Sequence, residues 1–432
     1  MTQGEEMRLG RLHWALEDST FASMDFLNEV AERYPNAVSM AAGRPFDGFL
    51  SLESVHRRLE TYHRYLESVQ GLGSDRATRT LLQYGPAGGV INDLIARHLA
   101  VDEGIETEGE SIVVTVGCQE AMFLVLRALR ADERDLVMAV SPTYVGLSGA
   151  AKLADIPVLP VPTDETGVSL SHLASQVRQA RAEGRTPRAL YVMPDFANPS
   201  AVSMDLPARR ALLRMAEEED ILLLEDNPYG LFHGEKARLP TLKALDRTQR
   251  VVYLGSFAKT VVPGARVGYL VADQQVEDDR GGAHPLAFYL SRLKSMLTVN
   301  TSPIAQAVVA GCLLESDFSL ARANSQERAF YQRNLNHLLA GLRDRLGEFS
   351  DEVTWTSPTG GFFVVLTLPF TVDDEDLQVC ADKYGVLWTP MSHFHGPDGG
   401  ENQLRLSCSA ISTDMIDIGL DRLRDYILSR LR

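Results

Sequence analysis

"RVVYLGSFAKTVVPGARVGYL" occupies residues 250–270. Two apolar bursts, 250–255 and 265–270, flank a short segment that carries Lys259. Neither burst alternates with polar residues, so each reads as a strand buried on both faces. A lysine ordinarily ends in water. Here it stands at a junction of buried elements, with Ser256 before it and Arg266 after it, inside the second burst.

The same texture extends backwards. "SIVVTV" (111–116), "DLVMAV" (135–140), "IPVLPV" (156–161), "ALYVMP" (189–194) and "DILLLE" (220–225) are short and rich in Val, Ile and Leu. Amphipathic spacers separate them, and "CQEAMFLVLRALR" (118–130) reads as a helix. Strands joined by helices pair mostly in parallel, which predicts an α/β/α sandwich around a sheet of about seven strands. The texture changes near residue 300. "NSQERAFYQRNLNHLLAGLRDRL" (324–346) reads as a long amphipathic helix, and the chain ends on "DMIDIGLDRLRDYILSRL". This predicts a smaller α+β domain. In the N-terminal region, "FASMDFLNEVAERYP" (21–35) reads as a helix that packs beside it.

Composition narrows the function. The 432 residues carry a net charge of −16, with 45% hydrophobic and 23% charged residues. Such an excess of acid argues against general nucleic-acid binding, which needs a basic surface. The four cysteines, Cys118, Cys312, Cys380 and Cys408, form no CxxC pair. Neither a zinc knuckle nor a disulfide framework is indicated, and a reducing, cytoplasmic setting fits. The first residues, "MTQGEEMRLGRLHW", carry acids where a signal peptide needs an apolar core. No apolar run approaches the roughly 20 residues that span a bilayer.

Open α/β sheets place ligands at the carboxyl ends of their strands. There the sequence sets "GCQ" (117–119), "SPTYVG" (141–146), "DFANPS" (195–200), "DNPYG" (226–230) and "SFAK" (256–259). Gly117, Cys118 and Gln119 open a helix, whose N-terminus suits an anion. Ser256 and Arg266 could join the same phosphate. Tyr144 offers a flat face to a ring. Asp226 could pair with a protonated ring nitrogen, and Asn198 and Tyr229 could donate to a phenolic oxygen. Lys259 could condense with an aldehyde, because a desolvated site beside a cation lowers its pKa. Phosphate, ring, pyridinium, phenolate and aldehyde together describe pyridoxal 5′-phosphate.

"SFAKTVVPGARVGY", "EDNPYG", "ANPS", "QYGPAGG" and "NQLRLS", in their places along the chain, resemble the class I/II aminotransferases. These are fold-type I pyridoxal-phosphate enzymes, and the resemblance is to the branch of 2-aminoadipate and kynurenine aminotransferases. Members of specialised metabolism, such as dihydroxyphenylglycine transaminases, share the texture of the "LWTPM" loop. The resemblance covers nearly the whole chain. It implies that Lys259 is the Schiff-base lysine and Asp226 the pyridinium partner. It implies that Tyr144 stacks on the ring and that Asn198 and Tyr229 lie at its phenolic oxygen. Ser256, Arg266, Gly117, Cys118 and Gln119 would bind phosphate. Arg405 would clamp the substrate carboxylate, with Arg44 and Met391 near the substrate. Tyr84 would reach the phosphate of the neighbouring subunit, because the family forms its sites at a homodimer interface. The expected division is an N-terminal arm over 1–50 packing with the small domain, a large cofactor-binding domain over 51–317 and a small domain over 318–432.

Three positions depart from the family pattern. Cys118 replaces a small hydroxyl residue, "NPSA" replaces "NPTG", and Met391 in "TPMSHFH" (389–395) stands where glycine is usual. His393 and His395 have the spacing of a metal pair but lack a third ligand, so they read as solvated loop residues and no metal is expected. Asp226 alone could cap a helix, Arg405 could be an ordinary strand arginine and Arg44 an ordinary turn residue. The expected reaction moves an amino group between an amino acid and a 2-oxo acid. The same scaffold also serves β- or γ-elimination and carbon–carbon bond formation, for example on S-adenosylmethionine. A transcription regulator with an aminotransferase-like domain would need a winged helix, and the 40 residues before "AAGRP" carry no basic recognition helix.

Overall fold

The computed structural model describes residues 8–18, 20–21, 23, 29, 31–164, 167–234, 238–395 and 399–431. Residues 22, 24–28 and 30 of the expected helix over 21–35 lie outside them.

Seven strands form the central sheet: β2 (Ile112–Val116), β3 (Asp135–Ser141), β4 (Val158–Pro162), β5 (Thr186–Val192), β6 (Leu222–Asp226), β7 (Val251–Ser256) and β8 (Val267–Val271). A two-residue strand, β1 (Val38–Ser39), precedes them. The sheet order is β2-β8-β7-β6-β5-β3-β4. Pairing is parallel from β7 through β4, while β8 runs antiparallel to both its neighbours. The tight 257–266 connection explains that reversal, since a parallel return needs a crossover of a dozen residues or more.

The expected double-sided burial is observed. Val113, Val137, Tyr191, Leu224 and Val252 pack on one face with the helices Gly117–Leu129, Val145–Leu153 and Leu286–Leu297. Their strand neighbours point the other way. Ile112, Val114, Tyr253 and Tyr269 meet the helices Leu52–Ser68 and Pro303–Glu315, and Leu190 and Leu223 meet Leu170–Ala182 and Leu206–Glu218. The edge strand β4 carries Pro160 and Pro162, which offer no N–H to a further strand.

A hairpin of β9 (Gln275–Glu277) and β10 (Ala283–Pro285) follows. The later chain builds an antiparallel sheet of order β11-β12-β15-β14, from Thr354–Trp355, Phe363–Thr367, Gln403–Ser407 and Thr389–Pro390. The helices Ser325–Leu346 and Thr413–Leu431 cover it. β1 pairs in parallel with β13 (Val386–Leu387), and Val38, Met40 and Ala41 share that core. Among the described residues no helix is long and apolar enough to cross a membrane.

Candidate active site

The strand ends converge as topology requires. β2 delivers Gly117, β3 leads to Tyr144, β5 to Asn198, β6 ends on Asp226 and β7 on Ser256. One correction concerns Arg266, which the apolar pattern put inside a strand. It lies before β8, after the 3₁₀ turn Pro263–Ala265, with φ of 50°. A left-handed non-glycine residue costs about 1–3 kcal/mol and needs support from its surroundings. The consequence is that its guanidinium turns back over the start of the helix Gly117–Leu129.

Two glycines make that approach possible. Gly117 has φ of +69°, and a Cβ there would come within 2.5 Å of Arg266 Nη2. A Cβ at Gly268 would lie 2.6 Å from the Cys118 nitrogen. Any side chain at either position would fill the cradle. Behind it, Glu120 accepts from the Val116 amide at 2.6 Å, from Lys294 Nζ at 2.7 Å and from Thr298 at 2.7 Å. This buried ion pair anchors the helix start and was not anticipated from sequence. Gln119 Nε2 donates to the Gly146 carbonyl at 2.6 Å, tying the cradle to the loop of Tyr144. Ser256 Oγ accepts from the Ala258 amide at 3.2 Å.

Lys259 follows in the same turn. Its Nζ donates to the Gly43 carbonyl at 2.7 Å. Burial, then the Arg266 and Arg405 charges, lower its pKa to about 8. Asp226 is 2% exposed, and burial raises its pKa to about 6. Its Oδ2 accepts from Tyr191 Oη at 2.6 Å, and its Oδ1 from Cys118 Sγ at 3.6 Å. Tyr191 was not singled out in the sequence. As a single aromatic in an aliphatic strand, it could be assigned to Asp226 only with the β5–β6 register known.

Arg405 sits in the middle of β15 and is 4% exposed. Its Nη1 contacts Asn198 Oδ1, and its Nη2 donates to Ala41 O at 3.1 Å and Thr389 Oγ1 at 3.3 Å. The guanidinium lies over the rings of Phe363 and Phe394, 4.2 and 4.7 Å from their centroids. Tyr229, 4% exposed, meets Phe363 edge-on. Burial pushes Tyr144 up to about 12 and Tyr229 higher still, so both phenols remain donors.

Met391 is buried against Val145, Val365 and Phe394. Arg44 is exposed, and its carbonyl accepts from Ser409 at 2.7 Å. Tyr84 is 81% exposed. His393 is not a solvated tip: its side chain is 11% exposed, with Nδ1 at 2.7 Å from Ser23 Oγ and Nε2 at 2.8 Å from Asp374. Those two bonds join the 391–395 turn to the N-terminal region and to the helix Asp374–Val379. Among the described residues no group of three or more His, Cys, Asp or Glu is placed to hold a metal.

The family model "aminotransferase class I and II" matches residues 58–423. The chain is 55% identical over 427 residues to the (S)-3,5-dihydroxyphenylglycine transaminase of Amycolatopsis orientalis, covering 99% of this chain and 96% of that one. It is 34% identical to the 2-aminoadipate transaminase of Thermus thermophilus, covering 79% and 80% respectively. A solved kynurenine aminotransferase of Pyrococcus horikoshii superposes with a TM-score of 0.80 at 26% identity, over 94% of this chain and 95% of that one.

Proposed function

The chain belongs to the class I and II aminotransferases, and from that membership we propose that it is a pyridoxal-phosphate-dependent transaminase of an arylglycine related to 3,5-dihydroxyphenylglycine. Likeness to a transaminase along nearly the full length favours amino transfer over the elimination and bond-forming chemistries. The substrate class rests on that same relative.

One observation supports the cofactor above others: Arg266 lies over a glycine-lined helix start, its charge lowers the pKa of Lys259, and Cys118 of that helix start meets the buried Asp226 carboxylate. The donor set suits the group. Gly117, Cys118, Gln119, Ser256 and Arg266 would hold its phosphate, Asp226 its ring nitrogen, Asn198 and Tyr229 its phenolic oxygen, and Tyr144 its face. When bound, pyridoxal phosphate supplies an electron sink that acidifies the Cα–H of an attached amino acid.

The chain's own groups do the rest. Arg405 binds the substrate carboxylate, oriented by Asn198, Ala41 and Thr389. Lys259 Nζ takes the proton from Cα and returns it elsewhere, and its lowered pKa makes the neutral amine accessible near neutrality.

A homodimer is part of the proposal. Tyr84, Met296, Leu297, Val299 and Ile304 are exposed apolar residues, between 45% and 85% accessible. A Cβ at Gly85 would lie 3.8 Å from Pro303, so the two stretches adjoin. An exposed apolar patch of this kind marks an interaction surface. The four cysteines are free thiols, which supports a cytoplasmic setting.

The test is direct. Borohydride reduction of the holoenzyme followed by peptide mapping should place the label on Lys259. Incubation with (S)-3,5-dihydroxyphenylglycine should give the 2-oxo acid and the aminated cofactor in equal amounts. Label on another lysine would remove the cofactor assignment. Release of a side-chain fragment would remove the reaction.

A further inference from the structure

Asp226 is the last residue of β6 and is held from two sides. The β5–β6 register pairs Tyr191 with Leu224. Side chains two residues apart on a strand share a face, so Tyr191 lies on the face of Asp226 and its phenol reaches Oδ2 at 2.6 Å. Cys118 arrives from the helix Gly117–Leu129, which covers that face. Its thiol meets Oδ1 at 3.6 Å, an ordinary length for a sulfur donor. Each carboxylate oxygen thus has its own donor, from a different element.

We propose that Tyr191 and Cys118 are positioning residues that fix the orientation of the Asp226 carboxylate and hold it ionised. The proposal rests on the cofactor reading only for the identity of the cation Asp226 serves, the ring nitrogen of pyridoxal phosphate. It gives the cysteine at position 118 a purpose of its own: its backbone belongs to the anion cradle, and its side chain serves the carboxylate.

The surroundings support it. Tyr144 and Tyr229 also face Asp226, and both are neutral phenols. The Arg266 charge bears on the Cys118 thiol, while burial and its two hydrogen bonds set the Asp226 carboxyl. Burial drives Asp226 towards its protonated form, and the bonds from Tyr191 and Cys118 are what oppose it. Burial also raises the Tyr191 hydroxyl and the Cys118 thiol well above their ordinary values, so both stay protonated and able to donate.

The experiment uses Tyr191→Phe, Cys118→Ala and Cys118→Ser. Infrared titration of the cofactor-free protein follows the Asp226 carboxyl band, identified by its loss in Asp226→Asn. The visible absorbance of the holoenzyme is followed against pH in parallel. Tyr191→Phe should move the carboxyl midpoint to higher pH by about one unit or more, the scale of a lost hydrogen bond to a charged group. Cys118→Ala should move it the same way by less, and Cys118→Ser should restore it. The acid step in the holoenzyme spectrum should move with it. A carboxyl midpoint unchanged in folded Tyr191→Phe and Cys118→Ala would overturn the proposal, as would a Cys118→Ser shift as large as that of Cys118→Ala. If Tyr191→Phe does not fold, the alanine–serine pair at 118 decides. If the wild type takes up no pyridoxal phosphate, the cofactor reading fails by itself, and the infrared titration still decides the roles of Tyr191 and Cys118.

Discussion

Lys259 Nζ hydrogen-bonds the Gly43 carbonyl at 2.7 Å, joining the strand-end lysine to the chain segment just before Arg44. No carboxylate pairs with it in the described structure. Desolvation is therefore opposed only by a neutral acceptor, and Arg266 and Arg405 add repulsion. The charged form is disfavoured, so the amine loses its proton at lower pH. Labelling of Lys259 by trinitrobenzenesulfonate in cofactor-free protein should rise through a midpoint near 8. A midpoint at the ordinary lysine value would contradict the geometry. Lys259→Ala should abolish turnover.

Arg405 is aligned by three acceptors and two rings, so its planar fork matters as much as its charge. Arg405→Ala should lower kcat/KM for amino acids by about 2–5 kcal/mol of binding. Arg405→Lys should recover little, because an ammonium has neither the fork nor the stacking surface. An amine lacking the carboxylate should be nearly indifferent to either change. Equal losses for both substrates would show that the fold, rather than the clamp, had been damaged.

Gly268→Ala tests the cradle. The new Cβ would press on the backbone nitrogen of Cys118, which has no flexible end to move aside. Overpacking costs about 1–3 kcal/mol. The expected result is a lower Tm together with weaker retention of pyridoxal phosphate on dialysis. Unchanged cofactor retention would mean that the helix start yields without consequence.

Met391 is 1% exposed and backs Phe394, which in turn stacks on Arg405. Met391→Gly should cost about 2–5 kcal/mol of stability by cavity formation. It should raise KM more than it lowers kcat, since the ring supporting the clamp loses its packing. A wider donor range with Tm unchanged would instead mean that Met391 borders the substrate directly.

Tyr84 tests the dimer. Lys259→Ala and Tyr84→Phe subunits, each severely impaired, should regain activity when exchanged, because half of the mixed sites contain both native residues. No recovery after demonstrated subunit exchange would place Tyr84 outside the shared site.

The strands and their polar ends were legible from the sequence because their signal is local. An unbroken run such as "DILLLE" must be buried on both faces, and whatever follows it emerges at a sheet edge. That logic isolates Asp226, Ser256 and Lys259 without any knowledge of packing. It failed where a backbone turn overrode an apolar run, as at Arg266, whose left-handed conformation nothing in "GARVGYL" announces.

What the sequence determined by itself is the alternation of buried strands and helices, the set of groups at one edge and, through its motifs, the family. Tertiary structure alone decided the pairings. Tyr191 meets Asp226 because β5 and β6 take one register, and a one-residue slip would turn the phenol to the opposite face. Lys294 meets Glu120, and β1 joins β13, across 174 and some 350 residues of chain. Local periodicity sets which face of an element is apolar. It carries no information on which distant element will cover that face, because that choice is made by the shape and volume of the assembled core.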